Sequence, residues 1–166
     1  MSTKNLEHPE ALKKLKAMVE DIKICMLATN LDILPLNVRP MQTLESDDTG
    51  NIWFFNSRES LQYTDIQNDP RVQLIYSDPG KTQFLSVYGV ATISKDQDKI
   101  DELWDSKYRT WFHGKDDPDL MVMRVSPQDA YYWDTKHNKL ITLFTTLTST
   151  ISKETPDVGV KGKLKV

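Results

Sequence analysis

Apolar positions recur at spacings of three and four from Pro9 onward, with Leu12, Leu15, Val19 and Ile22 on one side and Lys13, Lys14, Lys16 and Glu20 elsewhere. That period predicts an amphipathic helix over the first 21 residues. The period then shortens. Ile24 to Thr29 is a short apolar run, residues 30–33 read as a turn, and Leu34, Leu36 and Val38 alternate with Pro35, Asn37 and Arg39. Two extended stretches are expected, the second with its leucines and valine toward a core. Pro40 removes a ladder donor, as befits an edge strand or bulge, and leaves Arg39 and Met41 on a common face.

Asn51 to Asn56 is apolar on both faces, the pattern of a strand covered on both sides, and it reads as central. It runs into Ser57-Arg58-Glu59-Ser60, where a helix to Gln67 is predicted with Ser57 as its N-cap. Arg71–Asp78 and Leu85–Ile93 alternate as strands, and the second has the small residues Gly89 and Ala91 where another backbone could approach. Ser94 and Gln97 suggest a capping box for a helix carrying Ile100, Leu103, Trp104 and Tyr108. Met121–Val125 and Ala130–Trp133 read as two strands joined at Ser126-Pro127. Leu140, Leu143, Phe144, Leu147 and Ile151 have helical spacing, and Lys161–Val166 reads as a basic peripheral tail. Short strands without regular βαβ alternation predict an α+β fold on an antiparallel sheet closed into a small barrel. The expected organisation is one domain over 1–166: helix 1–21, barrel 22–134, and a C-terminal helix and tail over 135–166.

Composition narrows the function classes. In 166 residues, 21 Lys+Arg against 24 Asp+Glu leave a net charge of −3, so there is no global positive field for nucleic acid or anionic lipid. No apolar run resembles a membrane span or signal peptide, and one cysteine makes no internal disulfide, so a cytoplasmic protein is expected. Six glycines, with neither GxGxxG nor GxxxxGK[ST], exclude the glycine-loop routes to nucleotides. The 4 Trp, 6 Tyr and 5 Phe could pack the core or line a flat ligand.

Conventional catalytic sets are missing. His8, His113 and His137 have no partners at metal-ligand spacing, so no metal is expected, and Cys25 in its apolar run reads as inert core. Free backbone N–H groups, two hydroxyls and a guanidinium at the strand-to-helix junction of Ser57, Arg58 and Ser60 suit a phosphate. Ser57 acting only as a cap, with Arg58 in solvent, is the plainer alternative. Trp111-Phe112 could cover a flat ring or plug one end of the barrel.

Taken in order, these segments carry a resemblance. Arg39-Pro40-Met41, Trp53-Phe54-Phe55, Asn56-Ser57-Arg58-Glu59-Ser60, Asp69-Pro70 with Val72, Tyr88-Gly89-Val90-Ala91, Leu103-Trp104, Trp111-Phe112-His113-Gly114, Asp117-Pro118 and Tyr132-Trp133-Asp134 resemble the general stress protein branch of the pyridoxamine 5′-phosphate oxidase-like flavoproteins. The resemblance implies an FMN-binding split β-barrel with flanking helices, a homodimer with two cofactor sites across its interface. It assigns Arg39, Pro40 and Met41 to the isoalloxazine edge, and Asn56, Ser57, Arg58 and Ser60, with Phe55 before them, to the phosphate and ribityl chain. Trp111 matches an aromatic near the flavin. Asn56 stands where the family has threonine, and Gln62 where it has lysine or arginine, which would weaken the grip on phosphate. FAD or a deazaflavin would present a similar ring. The function implied is a flavin-dependent, stress-linked oxidoreductase taking electrons from NAD(P)H or a small organic reductant. The alternative is a stress protein that sequesters flavin without turnover. Pyridoxamine phosphate oxidase activity itself is not implied.

Overall fold

The computed structural model describes residues 2–7, 9–135 and 159–165. Among the described residues ten strands form one sheet: β1 (Ser2–Thr3), β2 (Leu6–Glu7), β3 (Ile24–Thr29), β4 (Asn37–Gln42), β5 (Glu45–Ser46), β6 (Ile52–Ser57), β7 (Arg71–Asp78), β8 (Gln83–Ser94), β9 (Leu120–Thr135) and β10 (Gly159–Lys165). Three helices among the described residues flank it: α1 (Glu10–Ile22), α2 (Leu61–Asn68) and α3 (Gln97–Leu103), followed by a 3-10 turn at Ser106–Thr110. The helical spacing at Leu140–Ile151 lies outside the described residues, as do His8 and His137.

Closure depends on two long-range events. First, β9 pairs along its length with β8, while its first half also pairs with β6 and its second half with β10. Second, one run of chain changes partners within a single peptide, since Thr43 N–H donates to Lys23 O on the β3 side and Leu44 N–H donates to Trp53 O on the β6 side. The order β3, β7, β8, β9, β6, β5 therefore returns through β4 to β3. Between β4 and β6 the pairing stops at Glu45 opposite Trp53, and the barrel is split along that seam.

The main core packs Ala11, Leu15, Met18 and Val19 of α1 against Leu27, Phe54, Leu74, Val87 and Tyr132. A second cluster, Phe55, Ile100, Tyr108, Leu120 and Val122, lies under α3 and the 3-10 turn.

Several local expectations are corrected. Leu34, Leu36 and Val38 face solvent, while Arg39 and Met41 are half-buried, because β4 presents its other face inward. Ser60, not Ser57, caps α2: Ser57 ends β6, and the chain turns through Arg58 and Glu59 before Ser60 accepts Tyr63 N–H. Asp96, not Ser94, caps α3 by accepting Lys99 N–H, and α3 ends at Leu103, leaving Tyr108 to the 3-10 turn. The strand read as central, β6, is covered on both faces, but among the described residues one of its edges pairs only with the two residues of β5.

The two strands expected around Ser126-Pro127 are one strand, β9. Tyr88 pairs with Asp129 and Gly89 with Pro127, so Gln128 is extra, a bulge that bends the strand without ending it. A Cβ at Gly89 would lie 2.6 Å from Ser126 O, which accounts for the glycine. The supposed peripheral tail is β10, with Leu164 in the core. Its parallel neighbours β1 and β2 make the sheet mixed at that edge.

Candidate functional site

The seam opens into a cavity of about 650 Å³, within the range of small-molecule sites. One wall is Pro40, Met41, Gln42 and Leu44 with Ile24 beside them; the other is Phe55, Asn56 and Ser57; Tyr108, Trp111 and Phe112 complete it. Phe55 anchors the aromatic end, edge-on to Tyr108 at 5.1 Å and to Phe112 at 6.2 Å between centroids. Phe112 thus belongs to the packed cluster, whereas Trp111 stands 67% exposed at the rim.

Pro40 suits its place on the open edge. Thr43 N–H bonding Lys23 O sets the alternation of the antiparallel ladder, and Pro40 opposite Met26 falls at a position whose amide would point away from β3. Nothing is lost by its missing N–H. Its carbonyl and the Gln42 amide face the seam by the same alternation.

Asn56 carries the most informative polar atom. The residue is 4% exposed, its Oδ1 lies 3.1 Å from the Ser60 hydroxyl, and its Nδ2 is buried with no hydrogen-bond partner among the described residues. A buried donor left unpaired is costly in an apo fold and is commonly satisfied by a ligand or ordered water. The Ser60 hydroxyl also sits 2.7 Å from Ser57 O, and Ser57 Oγ accepts Glu59 N–H at 3.2 Å.

Of the ten residues singled out in the sequence, Pro40, Met41, Phe55, Asn56, Ser57 and Trp111 line this one cavity. Ser60 stands behind Asn56. Arg58 is exposed, its backbone N–H held by Asp119 O. Gln62 is buried with Nε2 against Met123 Sδ at 3.5 Å. Arg39 shares its strand face with Met41 but does not line the cavity, because its guanidinium pairs with Asp65 at 3.3 Å. Ile24, Gln42, Leu44 and Tyr108 also line the cavity without having been singled out as site residues; only the closure of the barrel brings them there.

Asp65 is the hub of a polar cluster that the sequence pattern does not reveal. It accepts Thr29 Oγ1–H at 2.7 Å, Asn30 Nδ2–H at 2.8 Å and Asn37 Nδ2–H at 3.1 Å, besides Arg39. Burial alone would raise its pKa, but these donors and the Arg39 charge outweigh it and hold the carboxyl below its ordinary value. Cys25 is buried, and loss of solvation pushes its thiol up to about 12, which leaves it inert as a nucleophile. Among the described residues no three His, Cys, Asp or Glu side chains gather as metal ligands, and no helix is long and apolar enough to cross a membrane.

The family model described as pyridoxamine 5′-phosphate oxidase like matches residues 10–157. General stress protein 26 of Bacillus subtilis (strain 168) is 34% identical over 76 residues, 44% of this chain; the match spans about half, 54%, of that relative. A crystal structure described as general stress protein 26 from Jannaschia sp. CCS1 superposes with a TM-score of 0.79 over 95% of this chain and 98% of its own, at 23% identity. That likeness shows the split-barrel fold. The general stress FMN/FAD binding protein of Xanthomonas citri is 27% identical, with a TM-score of 0.65 over 77% of this chain and 90% of its own.

Proposed function

We propose that this chain, which belongs to the pyridoxamine 5′-phosphate oxidase-like family, binds a flavin in the seam between β4 and β6 and acts as a flavin-dependent oxidoreductase of the general stress type. The observation that carries the reading is the aromatic-walled cavity of about 650 Å³ lined by Asn56, a residue whose Nδ2 is buried without a partner among the described residues. The neighbour from Xanthomonas citri, described as FMN/FAD binding, supports it.

When bound, such a group supplies a ring that accepts and passes on a hydride, which no side chain of this site can do. The chain's share is binding, orientation and exclusion of water. Pro40 and Gln42 offer backbone groups to the ring's edge, and Met41 with the Phe55 cluster supplies apolar walls. Asn56 Nδ2 donates to a polar group at the other end, with Ser57 beside it and Arg58 near enough in sequence to answer a phosphate. FMN is the proposed cofactor and NAD(P)H or a small organic molecule the reductant. A cavity with Trp111 at its rim rather than inside it favours turnover over sequestration.

A second copy of the chain is the proposed partner. Ile24, Met26, Val38 and Ile75 are exposed on the outer face of β4, β3 and β7, where Met26 pairs with Pro40 on one side and Ile75 on the other. Ile24 and Pro40 also line the cavity, so a copy seated there would help wall it. One buried cysteine in the whole sequence fits a reducing, cytoplasmic setting.

The test is a titration of FMN into the purified chain. Quenched flavin fluorescence, a rise in melting temperature and NAD(P)H consumption by the loaded protein are the expected results. No quenching and no thermal shift would refute flavin binding, and binding without turnover of any reductant would leave the sequestering alternative.

A further inference from the structure

The seam has two walls, and α2 touches both. At its N-terminus Ser60 holds Asn56 of β6 at 3.1 Å. One turn later Asp65 takes donors from Asn37 and Arg39 of β4 and from Thr29 and Asn30 at the end of β3. Apart from these contacts β4 is paired, among the described residues, on one edge only, with β3, and its other edge faces the cavity. Asn37 and Arg39 lie immediately before Pro40 and Met41, the residues that line the cavity.

We infer that Asp65 is a positioning residue: through Asn37 and Arg39 it fixes the free edge strand at a set distance from β6, and so sets the width of the flavin slot. The inference rests on the flavin reading for the ligand, though not for the clamp. A carboxylate receiving four donors, two of them from β4, has few alternative arrangements, because each donor would be left unpaired if the helix shifted. An apolar residue at this place could pack, but it could not choose the register of β4 against α2. The role reassigns Arg39, whose guanidinium braces the strand that offers its backbone to the ring.

Two measurements on the full chain test this: amide hydrogen exchange of the apo protein and FMN titration. In Asp65→Asn, exchange across residues 37–42 should rise at least tenfold while the β8–β9 ladder keeps its protection, and the FMN Kd should rise at least tenfold. Asn37→Ala, which keeps the Arg39 ion pair, should move both readouts the same way by a few-fold, and it stands in if Asp65→Asn does not fold. Asp47→Asn removes another hydrogen-bonded carboxylate, one that is not among the residues lining the cavity, and should leave the FMN Kd within twofold. Exchange that rises evenly through the sheet, loosening of 37–42 with an unchanged FMN Kd, or an equal loss of FMN in Asp47→Asn would each overturn the proposal. If the wild-type chain takes up no FMN, the flavin reading falls, and the exchange pattern alone then decides whether Asp65 clamps the strand.

Discussion

The Asn56 side chain and the Ser60 hydroxyl meet at 3.1 Å, and this contact engages Asn56 Oδ1 while Nδ2 stays buried and unpaired. An unpaired buried donor costs on the order of 1–3 kcal/mol. Asn56→Leu removes that donor at similar size. The variant should melt at or above the wild-type temperature as apo protein, yet bind FMN at least tenfold more weakly. A variant that loses stability and affinity in parallel would show that Asn56 serves the fold, not the ligand.

Ser60→Ala should lower stability by about 1 kcal/mol, because Tyr63 N–H loses its cap. Asn56 would be released as well, so FMN affinity should fall further than the cap alone explains. Urea unfolding beside FMN titration separates the two losses.

Trp111 lies at the rim and is mostly exposed. Trp111→Ala should change apo stability by less than about 0.5 kcal/mol, as exposed substitutions do. Bound flavin should nevertheless become more accessible to iodide quenching, and unaltered quenching would remove Trp111 from the site.

Asp47 accepts bonds from Thr49, Asn51 and Trp53. Its burial would raise the pKa, but those donors outweigh it and hold the carboxyl at about 2, below the ordinary 3.8. The folded value is depressed, so its stabilisation is present above pH 4 and fades as the pH falls toward 2. The size is on the order of 1–2 kcal/mol after allowance for partial exposure. Asp47→Asn should therefore be less stable than wild type at pH 6, with the gap narrowing in acid, as urea midpoints at several pH values would report.

Met26 sits between Pro40 and Ile75 on the exposed apolar face. Met26→Lys should convert a wild-type dimer to monomer in analytical ultracentrifugation with little change in secondary structure, and it should weaken FMN binding, since Ile24 and Pro40 serve both surfaces. A wild-type chain that sediments as a monomer would refute the partner proposal.

How legible the molecule was depended on the range of the interaction. The α1 stripe, the alternation of β7 and β8, and β6 with both faces covered are local patterns, and they appear where the periodicity placed them. The cap of α2 was missed by three residues because Ser57 and Ser60 are equally good caps by type, and only the length of β6 chooses between them. β10 was unreadable for a similar reason: Gly159–Lys165 has little apolar content of its own and is a strand because β9 extends far enough to pair with it.

Residue order alone determined the α+β class, which depends on local spacing, and the family resemblance, which in turn pointed to six of the residues that line the cavity. Tertiary structure decided the rest. The inward face of β4, the partnership of Arg39 with Asp65, the burial of Gln62 against Met123 and the entry of Tyr108 and Ile24 into the site are long-range contacts, and Leu44 enters where one run of chain leaves β3 for β6. That hand-over is set by backbone hydrogen bonds between residues about twenty and nine positions apart, which no local pattern encodes.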